Sequence, residues 1–188
     1  ILAAANNASD EVASITKRSM NGELDFFESL TARVKFLKGM PFSKADEICK
    51  NLPIMPGASE LIDALKQKGI KVVIFSGGFH IATDKMQEKL KFDANFANIL
   101  HHKDGILTGE VGGEMMFGSS KGEMIDRLKG LLNLDKSEIM CVGDGANDVS
   151  MFRKCDLKIA FCAKEILKKE AKHCVDVKDL REILNFIR

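Results

Sequence analysis

Two aspartates four residues apart, set among glycines and an asparagine in Gly143-Asp144-Gly145-Ala146-Asn147-Asp148, are the residues of this chain best placed to do chemistry. The run follows directly on Ile139-Met140-Cys141-Val142, an apolar stretch of buried-strand type. Asp144 therefore stands at a strand end and Asp148 on the same face one helical turn later, so two carboxylates converge where a hard divalent cation would want oxygen ligands. Magnesium is the expected occupant. Two aspartates at a helix start also serve as a cap and a first-turn charge. Gly143 and Gly145 on either side of Asp144, and the amide of Asn147, exceed what a cap needs. A dinucleotide fingerprint is excluded, because Asp148 stands where G-x-G-x-x-G requires its third glycine.

A second strand-like run, Lys71-Val72-Val73-Ile74-Phe75, leads into Ser76-Gly77-Gly78 and then a helix expected from about Phe79 to Leu90. Ser76 offers a hydroxyl, and Gly77 an N–H that an anion can reach with no side chain in the way. The positive end of the following helix points to the same place. Lys121, at the start of a helix marked by Met124, Ile125, Leu128, Leu131 and Leu132, supplies a positive charge. Ligands of open parallel sheets gather outside the carboxyl ends of the strands, so the loops after Phe75 and Val142 should share one rim.

The elements that must position these residues fall into two groups. Up to about Leu52 the pattern is helical: Ser9 and Asp10 are expected to cap a helix through Ser19, and Ser43 another through Leu52. Between them Phe27, Leu30, Val34 and Leu37 form a buried stripe, with Phe26 and Arg33 at its edge. Pro53 and Pro56-Gly57 break the pattern, which divides the chain into a helical domain over 1–54 and an α/β body over 55–188. In the second part, Ala58, Leu61, Ile62 and Leu65 mark a helix ended by Gly69, and Lys158-Ile159-Ala160-Phe161 a third strand. Strands alternating with helices predict an α/β fold with a Rossmann-like parallel sheet covered by helices. Lys103-Asp104-Gly105, flanked by short runs within about 97–117, predicts a β-hairpin placed to act as a flap.

Composition narrows the function classes. The 188 residues are 45% hydrophobic and 29% charged with a net charge of +1, and no apolar run approaches the roughly 20 residues of a membrane span. Neither nucleic acid nor a membrane is an expected partner. Five cysteines without a C-x-x-C spacing argue against a disulfide framework or a zinc knuckle and point to a reducing cytoplasm, with Cys141 and Cys162 as core residues. The opening Ile1-Leu2-Ala3-Ala4-Ala5 has neither the basic leader nor the length of a signal peptide. It reads as the middle of a helix, so residues ahead of Ile1 are expected.

Ser76-Gly77-Gly78-Phe79, Lys121-Gly122-Glu123 and Gly143–Asp148 with Ser150-Met151-Phe152 arrive in the order and context of the second, third and fourth motifs of the haloacid dehalogenase superfamily, which the chain resembles over essentially its whole length. Within it, Met20-Asn21-Gly22-Glu23-Leu24-Asp25-Phe26 and Arg33-Val34 are similar to the helical cap of the phosphoserine phosphatase family, as Lys158–Lys164 is to its later core. The resemblance implies a magnesium-dependent phosphomonoester hydrolase acting on phosphoserine, through an aspartyl-phosphate, in serine biosynthesis. It implies that Ser76 and Gly77 hold phosphoryl oxygens, Lys121 neutralises them, Asn147 adds a contact, and Asp144 ligates Mg2+. Asp148 would orient Lys121 and the waters of the metal, Arg33 would pair with the substrate carboxylate, and Phe26 and Met20 would close over the serine moiety.

One departure is large. The family attacks phosphorus with the first aspartate of D-x-D-x-T on a central first strand and uses the second as general acid and base; this sequence carries neither that motif nor that strand. Asp10, Asp25 and Asp63 lie in helical patterning and cannot take the place of a carboxylate at a strand end. Two alternatives stand beside the phosphoserine reading: a sister phosphatase for a related small phosphorylated metabolite, and a catalytically inactive module that binds a phosphoryl ligand. Oligomeric state is not legible.

Overall fold

The computed structural model describes residues 1–187; Arg188, the last residue of the expected α/β body, lies outside the described residues. Three helices come first: α1 (Ser9–Met20), α2 (Phe26–Lys35) and α3 (Phe42–Lys50). The caps differ from expectation. Ser9 and Asp10 lie inside the first turn of α1 behind Ala8, and Ser43 lies inside α3, which starts after Pro41. The first N–H of α3 is instead satisfied across the fold, Phe42 N donating to Gly105 O at 2.8 Å. The side-chain cap that does form is Asp25, which accepts from Glu28 N at 3.0 Å and starts α2 at Phe26.

That start turns the stripe of α2 by one residue. Leu30, Val34 and Leu37 are buried, and Phe26 packs against them, whereas Phe27 is 38% exposed. Spacings of three and four fit either phenylalanine, so periodicity alone could not choose between them. Phe27 instead stacks on Phe117, with ring centroids 5.3 Å apart. The buried stripe packs on Leu100 and Leu107, so these helices share a core with the hairpin described next.

After α4 (Ala58–Gln67) come β1 (Val73–Phe79), α5 (His80–Leu90), β2 (Ala94–Lys103) and β3 (Ile106–Gly113). β1 and β2 are parallel, and β2 and β3 form an antiparallel hairpin. Its two-residue turn has φ of 50° at Asp104 and 76° at Gly105, the pair of positive angles that a type I′ turn needs. The early part of β2, which pairs in the sheet, was not legible as a strand.

The chain continues through α6 (Ser120–Leu132), β4 (Met140–Gly143), α7 (Val149–Phe152), β5 (Leu157–Phe161), α8 (Glu165–Lys168) and β6 (His173–Val175), the last too short and polar to be read from sequence. β4, β5 and β6 are parallel, making the fold α/β with two three-stranded sheets, β1-β2-β3 and β4-β5-β6. Alternate residues of the second sheet face opposite ways: Ile159, Phe161 and Val175 pack with Leu61 and Leu65 of α4, while Cys141 packs with Ile125, Phe152 and Leu167. Among the residues expected to bury one side of α6, Met124 and Ile125 do so, but Leu131 is 79% exposed because the last turn faces solvent. All five cysteines are free thiols; Cys141 is buried and Cys162 half-buried. No helix among the described residues is long and apolar enough to cross a membrane.

Candidate active site

Ser76-Gly77-Gly78 is not the plain strand-to-helix loop its composition suggests. β1 continues through it to Phe79, but the ladder with β2 skips from Phe75↔Phe96 to Phe79↔Asn98, so four steps on β1 match two on β2. The surplus residues bow out of the sheet as a bulge. Ser76 Oγ accepts from Gly78 N at 3.0 Å within it. The bulge is held from behind by Asn98, which is fully buried: its Nδ2 donates to Met115 O at 3.0 Å and to Gly77 O at 3.4 Å, while its Oδ1 accepts from Met115 N at 2.9 Å. Asn98 therefore ties the bulge to the segment that leads into α6. A buried side-chain amide among strand residues is the only sequence signal it leaves.

Gly77 lies under the helical part of the chain. A Cβ built on it would stand 2.6 Å from Cζ of Phe26, so the ring sits directly over the bulge. Met20, at the end of α1, lies over the other loop, its Cε 3.2 Å from where a Cβ of Gly145 would be.

The Gly143–Asp148 loop is organised by Asp148, which is almost wholly buried. Its Oδ2 accepts from Asp144 N at 2.8 Å and Gly145 N at 3.2 Å, and its Oδ1 accepts from Lys121 Nζ at 2.5 Å. Asp148 presses so closely on β4 that a Cβ on Gly143 would lie 2.6 Å from its carboxylate, which is why a glycine ends the strand. With both oxygens occupied, Asp148 is a buried counter-ion and loop anchor. Lys121, at the start of α6, is buried beside it.

Asp144 differs. Its side chain reaches solvent at the cavity, but the surrounding protein and the nearby charge of Asp148 raise its carboxyl pKa above the ordinary carboxylate range, against a smaller opposing effect of Lys121. Its backbone O accepts from Lys164 N at 2.9 Å, tying the loop to the segment after β5. A carboxylate with a raised pKa gains from a cation. No group of three or more His, Cys, Asp or Glu able to hold a metal ion occurs among the described residues. Magnesium keeps several waters and uses one or two carboxylates plus substrate oxygens, so one free aspartate beside an anion site fits it.

A cavity of about 520 Å³ joins these parts, with Met20, Phe26, Arg33, Gly77, Asp144 and Asn147 on its wall. Ser76, Lys121 and Asp148 do not line it. Arg33 is half-buried, its Nε donating to Ser29 O at 3.2 Å and one Nη to Thr16 Oγ1 at 3.3 Å. Both acceptors are neutral, and burial lowers the guanidinium pKa. Thr16 also lines the cavity and was not singled out from sequence. His101 and His102 are exposed on the hairpin, as their placement there implies.

The cavity thus brings together the Gly77 bulge, the Asp144 carboxylate and Asn147 with Arg33, and the buried Lys121–Asp148 pair lies in the same loop region without lining it. The model for haloacid dehalogenase-like hydrolases matches residues 1–156. The phosphoserine phosphatase of Campylobacter jejuni subsp. doylei is 57% identical over 187 residues, covering 100% of this chain and 90% of that protein. The phosphoserine phosphatase of Methanocaldococcus jannaschii is 47% identical over 179 residues, covering 95% of this chain and 85% of that protein. A solved structure described as a substrate-bound phosphoserine phosphatase complex matches with a TM-score of 0.96 at 45% identity, over 100% of this chain and 89% of that one. The chain is thus an enzyme of the haloacid dehalogenase-like hydrolase class, and it belongs there to the phosphoserine phosphatase family.

Proposed function

We propose that this enzyme hydrolyses O-phospho-L-serine to L-serine and phosphate, uses Mg2+, and works through an aspartyl-phosphate. The observation that carries the substrate is Arg33: a half-buried guanidinium on the cavity wall, bonded only to neutral oxygens, in the same cavity as Asp144 and Asn147. A buried cation without an anionic partner is costly, and a planar fork suits a carboxylate. The fitting ligand has a carboxylate at one end and a phosphoryl group at the other.

At the phosphoryl end, the Gly77 N–H and Ser76 hydroxyl hold non-bridging oxygens, with Asn147 adding an amide contact. Lys121 is a fixed positive charge whose position Asp148 sets, and charge already in place needs no reorganisation when it meets the oxygens that grow negative. Asp144 would hold Mg2+, which supplies charge stabilisation to the phosphoryl oxygens when bound. A carboxylate attacks phosphorus as the serine O–P bond breaks and the serine oxygen takes a proton; water then cleaves the acyl-phosphate. The 188 residues contain no D-x-D-x-T, and Asp10, Asp25 and Asp63 lie at or within helix starts or helices, so none of these supplies that carboxylate. Residues 1–54 act as a cap over the body formed by 55–188, with Phe26 and Met20 enclosing the serine moiety, and the hairpin near 97–117 as a flap. The reading carries with it a place in serine biosynthesis and in the cytoplasm.

Phosphate release by the full polypeptide of the gene, measured with Mg2+ across a panel of small phosphomonoesters, tests this. Phosphoserine should be preferred over O-phosphoethanolamine and glycerol phosphate; equal rates would overturn the substrate.

A further inference from the structure

Arg33 has two side-chain hydrogen bonds among the described residues, and they differ in kind. The bond to Ser29 O stays within α2, four residues back, and does not fix the guanidinium relative to anything else. The bond to Thr16 Oγ1 crosses to α1, 17 residues away. Thr16 donates its own hydroxyl proton to Val12 O at 2.6 Å. That commits the proton to the helix backbone and leaves the oxygen lone pairs to face Arg33, so Thr16 can act only as an acceptor there.

We propose that Thr16 is a positioning residue for carboxylate recognition: its hydroxyl aims the Arg33 fork into the cavity and thereby sets the preference for a carboxylated phosphomonoester. Thr16 and Met20 are four residues apart, on one face of α1, and both line the cavity. One helix face therefore orients the cation at one end of the ligand and covers the Gly145 loop at the other. At 3.3 Å the Thr16 contact is at the long end for N–H···O, so it steers the guanidinium without competing strongly against an anion. Threonine is also a poor choice for helix stability in the middle of α1, so its presence needs another reason. This inference rests on the reading of Arg33 as the carboxylate partner.

Calorimetric binding of O-phospho-L-serine and O-phosphoethanolamine without divalent cation, so that neither is turned over, separates the two. The second ligand lacks the carboxylate and makes no use of Arg33. Thr16→Val, which keeps the shape and removes the acceptor, should weaken phosphoserine binding about ten-fold while leaving phosphoethanolamine unchanged. Thr16→Ser, which restores the hydroxyl, should return phosphoserine binding to within about two-fold of the wild type. An unchanged ratio between the ligands in Thr16→Val, or an equal loss for both, overturns the proposal, the second outcome meaning that Thr16 only supports the helix pair. Arg33→Leu tells the two levels apart. If it lowers the ratio and Thr16→Val does not, Thr16 alone is wrong. If neither lowers it, the carboxylate reading falls and the proposal with it.

Discussion

Nζ of Lys121 lies 2.5 Å from Oδ1 of Asp148, 27 residues further along the chain, with side chains 11% and 3% exposed. Removing one member of such a pair leaves the other buried and uncompensated, which costs far more than the pair contributes. Asp148→Ala is expected to destabilise the fold by about 3–5 kcal/mol in urea unfolding. Adding Lys121→Met in the same chain should recover part of that, because no ammonium is then stranded. A loss below about 1 kcal/mol for Asp148→Ala would contradict the burial argument.

Asp144 gives a pH dependence with a definite sign. Its folded pKa is raised, first by burial and then by Asp148. Its contribution is therefore fully present below the unfolded carboxylate range and is lost as pH rises through the folded value. Without divalent cation, Asp144→Asn should melt higher than wild type near pH 7, and the difference should vanish on acidification past about pH 4. Mg2+ should raise the wild-type melting temperature at neutral pH and leave Asp144→Asn unmoved. Equal responses to Mg2+ in both proteins would remove Asp144 from the metal site.

Gly77→Ala tests how closely the cap approaches the bulge. The added Cβ would stand 2.6 Å from the Phe26 ring, so ring or bulge must shift. Overpacking of this kind costs about 1–3 kcal/mol, and phosphoserine binding should weaken by roughly ten- to a hundred-fold. Phe26→Ala removes the clash. The double variant should bind better than the product of the two single losses implies, and strict additivity in the calorimetric cycle would show that the two residues do not touch.

Ser29 Oγ is buried with no hydrogen-bond partner, the only such side-chain atom found among the described residues. An unsatisfied hydroxyl is a cost to the fold, and alanine is the better helix former. Ser29→Ala is expected to stabilise by about 1 kcal/mol in denaturant unfolding. A destabilisation would mean that the hydroxyl has a partner.

Much of the site was legible because its chemistry is local. Gly143–Asp148 carries its glycines, carboxylates and amide within six residues, and Asp104-Gly105 carries both positive φ angles of the hairpin turn. The helix caps were not legible. A serine near a helix start competes with acceptors from elsewhere, and α3 begins at Phe42, ahead of Ser43, with Phe42 N donating to the Gly105 carbonyl across the fold and Ala45 N to the Pro41 carbonyl. The stripe of α2 was ambiguous for a related reason: Phe26 and Phe27 both fit its period, and only packing against the hairpin and Phe117 separated them.

By itself the sequence determined the alternation of strands and helices, the hairpin turn at Asp104-Gly105, and the glycine-rich acidic loop at a strand end, all properties of short windows governed by side-chain pattern and backbone propensity. The resemblance already implied that Asp148 orients Lys121, but tertiary structure alone decided that the pair is buried, that Asn98 braces the Gly77 bulge, and that Thr16 holds Arg33. These are meetings between residues from 17 to 27 positions apart. Burial, register and the bulge in β1 set them, and no local pattern encodes a distance across a folded core.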